Sequence, residues 1–142
     1  MSEPVTFRRI LCAVDFSRDS LEAFRAAVEL ARLRSGAVHV LHVIEAQLPG
    51  SGEVIIELTQ KANAAMAELI ASAPSKDLAL SSEVTSGDAA IEIVDQAKEW
   101  RADLVVLGAR GVILIEDIVV GGTAEGVTRG APCSVLVVRH GN

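Results

Sequence analysis

The residues whose spacing most suggests chemistry are glycines. The chain runs Gly108-Ala109-Arg110-Gly111, then nine residues, VILIEDIVV, then Gly121-Gly122-Thr123. Glycine admits positive φ and close backbone approach, so successive N–H groups can converge on phosphate oxygens. The positive end of a helix starting near Gly122 favours the same negative charge. Either turn alone would serve as well to end a strand or to start a helix, and that plainer reading stays open on spacing alone. Asp15 is the second candidate, because a carboxylate has two acceptor oxygens for paired hydroxyl donors. Asp15, Ser17 and His42 also make a formal set of base, nucleophile and orienter. Nothing resembles a nucleophile elbow, however, and Ser17 stands where a helix needs its N-cap, so no catalytic residue is assigned. His42 reads as a strand-end histidine with His39 beside it on the same face, and His140 as a tail residue without a role.

These residues need elements to position them, and strand and helix signals alternate along the chain. Arg9 to Val14 is a short apolar run, after which Ser17 caps a helix carrying Leu21, Phe24, Val28 and Ala31 at helical spacing. Gly36 offers a stop, and Val38 to Ile44 is a β-branched strand. Pro49, Gly50 and Gly52 mark a loop before a long helix over Val54 to Ala73. Leu78 to Thr85 alternates as a third strand, and Asp88 caps the helix AAIEIVDQAKEW. Leu104 to Leu107 is a buried strand, a short helix spans about Gly122 to Arg129, and Ser134 to Val138 is the fifth strand. Right-handed crossovers between parallel strands make this a three-layer α/β/α sandwich, in which ligands bind beyond the carboxyl ends of strands where the strand order reverses. If strand 1 neighbours strand 4, Asp15 and Gly108 face each other across that crevice. A receiver domain is excluded, since Thr85-Ser86-Gly87 stand where it needs a phosphorylatable Asp.

Composition agrees with one domain spanning 1–142. A chain of this size buries about 70% of the surface it would expose unfolded, enough to fold without disulfides or metal. Half of the residues are apolar, yet the aromatics are only Phe7, Phe16, Phe24 and Trp100, so the core rests on Val, Leu, Ile and Ala. A formal charge of −6 without a Lys/Arg run argues against nucleic acid. Cys12 and Cys133 fit no zinc or redox spacing and read as small buried residues in a reducing compartment. No signal peptide or membrane-spanning run is apparent, which makes a cytoplasmic location the expectation.

The pattern G-x-x-G, nine residues, then G with Ser or Thr next is similar to the nucleotide-binding signature of the ATP-binding branch of the universal stress protein family. RILCAVDFSRDS, VHVLHVI, GDAAIEIVDQAKEWRADLVVLGARG and APCSVLVVRH resemble that family's blocks in order and spacing over nearly the full length. The resemblance implies a Rossmann-like, adenine nucleotide alpha hydrolase-like sheet in the order 3-2-1-4-5. It implies that Ala13 and Val43 line an adenine pocket, that Asp15 accepts from ribose hydroxyls, and that Leu107 and Gly108 flank the ribose. The backbone of Gly111, Gly121, Gly122 and Thr123 would contact phosphates, with Arg110 the nearest cation. The implied ligand is ATP or another adenine nucleotide, with Mg as a candidate companion and at most slow ATP hydrolysis. The implied assembly is a homodimer through the last strand, Ser134 to Val138.

The chain departs from the pattern in two places. Gly122 stands where the nucleotide-binding branch has Ser or Thr, and Glu116 and Asp117 stand where relatives carry cationic or small polar residues. The acids read as a solvated pair at the tip of an apolar flap, Val112 to Val120, which is itself either packed on the domain or a partner surface. Two expectations follow: a nucleotide-binding stress or regulatory module with an unknown regulated protein, or a dimeric interaction protein of the same fold that does not bind nucleotide.

Overall fold

The structure is a computed structural model that describes residues 6–45, 52–74, 76–109, 113–115, 118–120 and 122–141. Three runs without charged residues past their first position, β1 (Arg9–Ala13), β2 (Ala37–Ile44) and β4 (Leu104–Gly108), form the middle of a parallel sheet. Two more polar or more exposed strands, β3 (Ala79–Ser86) and the last strand, Ser134–Val138, form its edges. Between β4 and the last strand lies a separate antiparallel pair, β5 (Ile113–Ile115) and β6 (Ile118–Val120), so the last strand is β7. The five-stranded order β3-β2-β1-β4-β7 is the 3-2-1-4-5 arrangement expected from the sequence. The β5–β6 pair is not part of the sequence reading above, which treats VILIEDIVV as one flap, although two apolar β-branched runs on either side of Glu116 and Asp117 are the signal for such a pair.

Among the described residues, four helices cover the sheet: α1 (Arg18–Arg32), α2 (Gly52–Ser72), α3 (Ala89–Glu99) and α4 (Thr123–Gly130). Their sides follow from the two-residue period of the strands. Ile10, Cys12, Val14, Val38, Val40, Leu104 and Val106 pack with Phe24, Val28 and Ala31 of α1 and Met66 and Leu69 of α2. Leu11, Ala13, Leu41, Val105 and Leu107 pack on the other face with Ile93 and Ala97 of α3 and Ala124 and Val127 of α4. The same period corrects the reading of the histidines. His39 and His42 are three residues apart and so lie on opposite faces: His39 stacks on Trp100 at the end of α3, and His42 meets Phe16 before α1.

Gly36 is also corrected. The left-handed residue that ends α1 is Ser35, with φ of 49°. Gly36 is instead required because a Cβ there would lie 2.5 Å from the Arg8 carbonyl oxygen.

Candidate functional site

The sheet reverses its winding between β1 and β4, whose residues Ala13 and Leu107 are in register. Their carboxyl ends therefore diverge into different connections and leave a crevice between them. Its volume, open mouth included, is about 480 Å³. Ala13 lines it from β1 with Val14 and Asp15 just beyond that strand, Leu41 and Val43 from β2, and Leu107 and Gly108 from β4. Ser20 of α1, Ala89 and Ile93 of α3 and Thr123 of α4 complete the walls. The structure thus brings together six residues singled out in the sequence: Ala13, Asp15, Val43, Leu107, Gly108 and Thr123. Gly122 adjoins them as the N-cap of α4. Arg110, Gly111 and Gly121 lie outside the described residues, as do Glu116 and Asp117. Val14, Ser20, Leu41, Ala89 and Ile93 were missed. Val14, Leu41, Ala89 and Ile93 carry only apolar signals, which mark a core as readily as a pocket, and the Ser20 hydroxyl needs the turn after β1 to place it.

The turn after β1 is built locally. The Ser17 N–H donates to Asp15 Oδ1 at 2.9 Å, the Asp15 N–H donates to Ser20 Oγ at 3.2 Å, and the Ser20 N–H donates to Ser17 Oγ at 3.3 Å. Ser17 is therefore the cap of α1, as its position before LEAF suggests, while Asp15 holds the turn and also borders the crevice. Between them Phe16 has a φ of 64°. A bulky side chain is rare in that region and costs on the order of 1–3 kcal/mol, which the surrounding contacts must offset.

Gly108 owes its identity to packing. A Cβ there would lie 2.7 Å from the Ser20 nitrogen and 2.8 Å from the Asp19 carbonyl carbon, so β4 can abut α1 only without a side chain. Asp19 is further tied to the end of the chain, because the His140 main-chain N–H donates to Asp19 Oδ1 at 2.9 Å and the His140 ring nitrogen Nδ1 meets the same oxygen. The tail histidine that carried no role in the sequence thus pins the segment after β7 to the first turn of α1.

The helix N-termini at this end of the sheet differ in how their free N–H groups are used. In α3 the Asp88 carboxylate accepts from Ile91 at 3.1 Å, and Glu45 accepts from Ala89 at 2.8 Å. In α1 Ser17 caps and Asp19 adds a charge. In α4 the N-cap is Gly122, which makes no side-chain bond to the helix. Among the described residues, therefore, no N-cap side chain takes up the donors at the start of α4, which suit an acceptor from outside the helix. Among the described lining residues of the crevice, Asp15 is the only ionisable one.

The β1–β2 ladder ends just at this crevice. Its last rung is the Val14 N–H donating to the Leu41 carbonyl at 2.9 Å, whereas Ile44 turns its carbonyl the other way, to the Gly87 N–H at 3.0 Å. Residues of a parallel strand alternate in the side to which they present both main-chain groups. Val43 therefore turns its N–H and C=O toward the side that β1 has left.

A sheet with this winding, a crevice at its reversal and an open helix N-terminus beside that crevice define the Rossmann-like class of α/β sandwiches. Within it, the family model described as the universal stress protein family matches residues 6–139, and this chain belongs to that family. Universal stress protein MJ0531 of Methanocaldococcus jannaschii is 33% identical over 140 residues, covering 94% of this chain and 82% of that protein. The structure of universal stress protein UspA from Lactobacillus plantarum matches with a TM-score of 0.76 at 30% identity, covering 94% of this chain and 98% of the other. The universal stress protein from Archaeoglobus fulgidus in complex with dAMP shares the fold, with a TM-score of 0.66 at 24% identity over 95% of this chain and 99% of the other.

Proposed function

We propose that this chain binds an adenine nucleotide in the crevice between the ends of β1 and β4, as a stress-response or regulatory module. The observation that carries this reading is the juxtaposition of an apolar slot, a carboxylate and an uncapped helix N-terminus. The slot formed by Ala13, Leu41, Val43 and Ile93 suits a planar base. Val43 offers that base one main-chain donor and one acceptor, which complement the N1 and N6 amino positions of adenine. Asp15 accepts from the ribose, and the N-terminus of α4 with Gly122 and Thr123 receives phosphate oxygens, joined by Gly111, Gly121 and Arg110. The dAMP bound by the Archaeoglobus fulgidus protein of this fold supports an adenine nucleotide as the ligand. The described residues hold no group of three His, Cys, Asp or Glu set to bind a metal, so Mg would ride on the nucleotide phosphates and water.

The test is calorimetric titration with AMP, ADP and ATP, with and without Mg. Saturable binding of at least one of them is expected, and no heat from any at millimolar concentration would overturn the reading. Asp15→Asn keeps an acceptor for the Ser17 N–H while removing the charge, and should weaken binding about tenfold, the scale of one charge-assisted hydrogen bond. Gly111→Val should abolish it by blocking backbone approach.

One observation favours a role in assembly as well. β7 is an edge strand whose Leu136 and Val137 are 38% and 42% exposed. We propose a homodimer formed through this edge, on which either nucleotide-dependent or purely protein-mediated regulation would act.

A further inference from the structure

We propose that His42 is a positioning residue for base recognition, which holds the β1–β2 ladder one rung short and so leaves the main-chain N–H and C=O of Val43 to the ligand. This rests on the nucleotide reading above and adds the device that makes its base selective. In a parallel ladder, the rung after Val14 N–H to Leu41 C=O would join the Val43 N–H to the Val14 carbonyl and the Phe16 N–H to the Val43 carbonyl. Both halves of that rung are diverted. The Val14 carbonyl receives the ring of His42, with 2.7 Å between Nδ1 and the oxygen. A carbonyl only accepts, so Nδ1 carries the hydrogen. Phe16, with its φ of 64°, turns its main chain out of the β1 direction and takes away the other half.

The two diversions brace each other. The Phe16 and His42 rings lie 4.8 Å apart between centroids, tilted by 42°. The Val14 oxygen has a second lone pair, so the ring acts by holding that carbonyl toward itself and not by exhausting it. Without the ring donor the carbonyl can swing back to the Val43 N–H and let the ladder close over the groups that the base would use. Phe16, in a conformation that costs energy, is then explained as part of the same device.

The chemistry fixes what the freed pair selects. A donor beside an acceptor complements adenine, which presents an acceptor at N1 beside a donor at N6. Hypoxanthine presents the reverse, a donor at N1 and an acceptor at O6, so both contacts become repulsive. Preference for AMP over IMP is therefore the quantity that reports on His42, while phosphate and ribose contacts are common to both ligands.

The experiment titrates AMP and IMP into the wild-type chain, His42→Phe and His42→Asn. His42→Phe keeps a ring against Phe16 and loses the donor; His42→Asn loses the ring and keeps an N–H near the Nδ1 position. The wild type should prefer AMP by about tenfold or more, the scale of one paired base-edge contact. His42→Phe should fall below about a threefold preference, and His42→Asn should restore most of it. Amide hydrogen exchange gives a second readout that does not depend on ligand. The Val43 amide should exchange freely in the wild type and become protected in His42→Phe. An undiminished AMP preference in folded His42→Phe overturns the inference and leaves nucleotide binding standing. A Val43 amide as protected in the wild type as that of Leu41 overturns it too, even if neither variant folds. Absence of binding by either nucleotide overturns the nucleotide reading itself, and the exchange comparison then decides whether His42 opens the rung.

Discussion

Single side chains in this molecule are fixed by what lies within a few ångströms, and two positions make that measurable. Gly108→Ala places a Cβ against the Ser20 nitrogen and the Asp19 backbone. Neither can retreat without moving the first turn of α1, so a loss of about 1–3 kcal/mol is expected, the usual cost of overpacking. A lower urea midpoint with an unchanged slope would check it. His39 reports on the opposite end of the sheet. It is half-buried, bonded to Ser81 Oγ at 2.8 Å and stacked on Trp100, over which the Arg9 guanidinium lies 4.0 Å from the ring centre. Burial first and the Arg9 charge last hold its pKa below the ordinary 6.5, against an opposing pull from Glu83. The folded state therefore resists a proton that the unfolded state takes up near 6.5. Its contribution to stability is complete above that pH and is lost as the pH falls through 6.5 toward the lower folded value. Urea unfolding between pH 8 and 5 should show this slope in the wild type and a shallower one in His39→Gln.

At the scale of elements, the helix N-termini decide where an anion can go. Gly122→Asp supplies α4 with the cap it lacks and should raise stability by a few tenths of a kcal/mol to about 1 kcal/mol. The same carboxylate occupies the donors and repels phosphate, so nucleotide affinity should fall by about tenfold or more. Opposite signs in thermal denaturation and in titration are the expected outcome; a variant that binds AMP as the wild type does would place the phosphates elsewhere. Elements were also where the sequence was most legible. Ser17 and Asp88 announced two caps correctly, and the β-branched runs marked the strands, because those signals are local. What escaped depended on facing and contact. His39 and His42 needed the two-residue period applied to them, His140 needed a partner more than a hundred residues away, and Gly36 needed the position of Arg8. The site residues that were missed, such as Leu41 and Ile93, are ordinary core residues until the crevice is in view.

For the whole molecule, the question is what covers the sheet's two edges. β3 is polar, with Ser81, Ser82 and Glu83 exposed, and so discourages pairing with another strand. β7, Ser134–Val138, carries no charge, has no neighbouring strand on its outer side among the described residues, and is held in place at its far end by the His140 to Asp19 contacts. Two copies related by a two-fold axis can pair these edges, each strand meeting its own equivalent. Light scattering at micromolar concentration should accordingly give twice the chain mass of 14.9 kDa. Val137→Lys puts a charge into the centre of that contact and should return the mass to that of one chain. Since the crevice lies beyond β4, on the side of β1, AMP affinity should be retained in the monomeric variant. A wild type that scatters as a single chain would remove the edge-strand dimer, and a Val137→Lys variant that stays dimeric would move the interface to another surface. If dissociation and loss of AMP binding instead occur together, the crevice depends on the partner, and β7 acts through its register with Leu107 and Gly108 of β4.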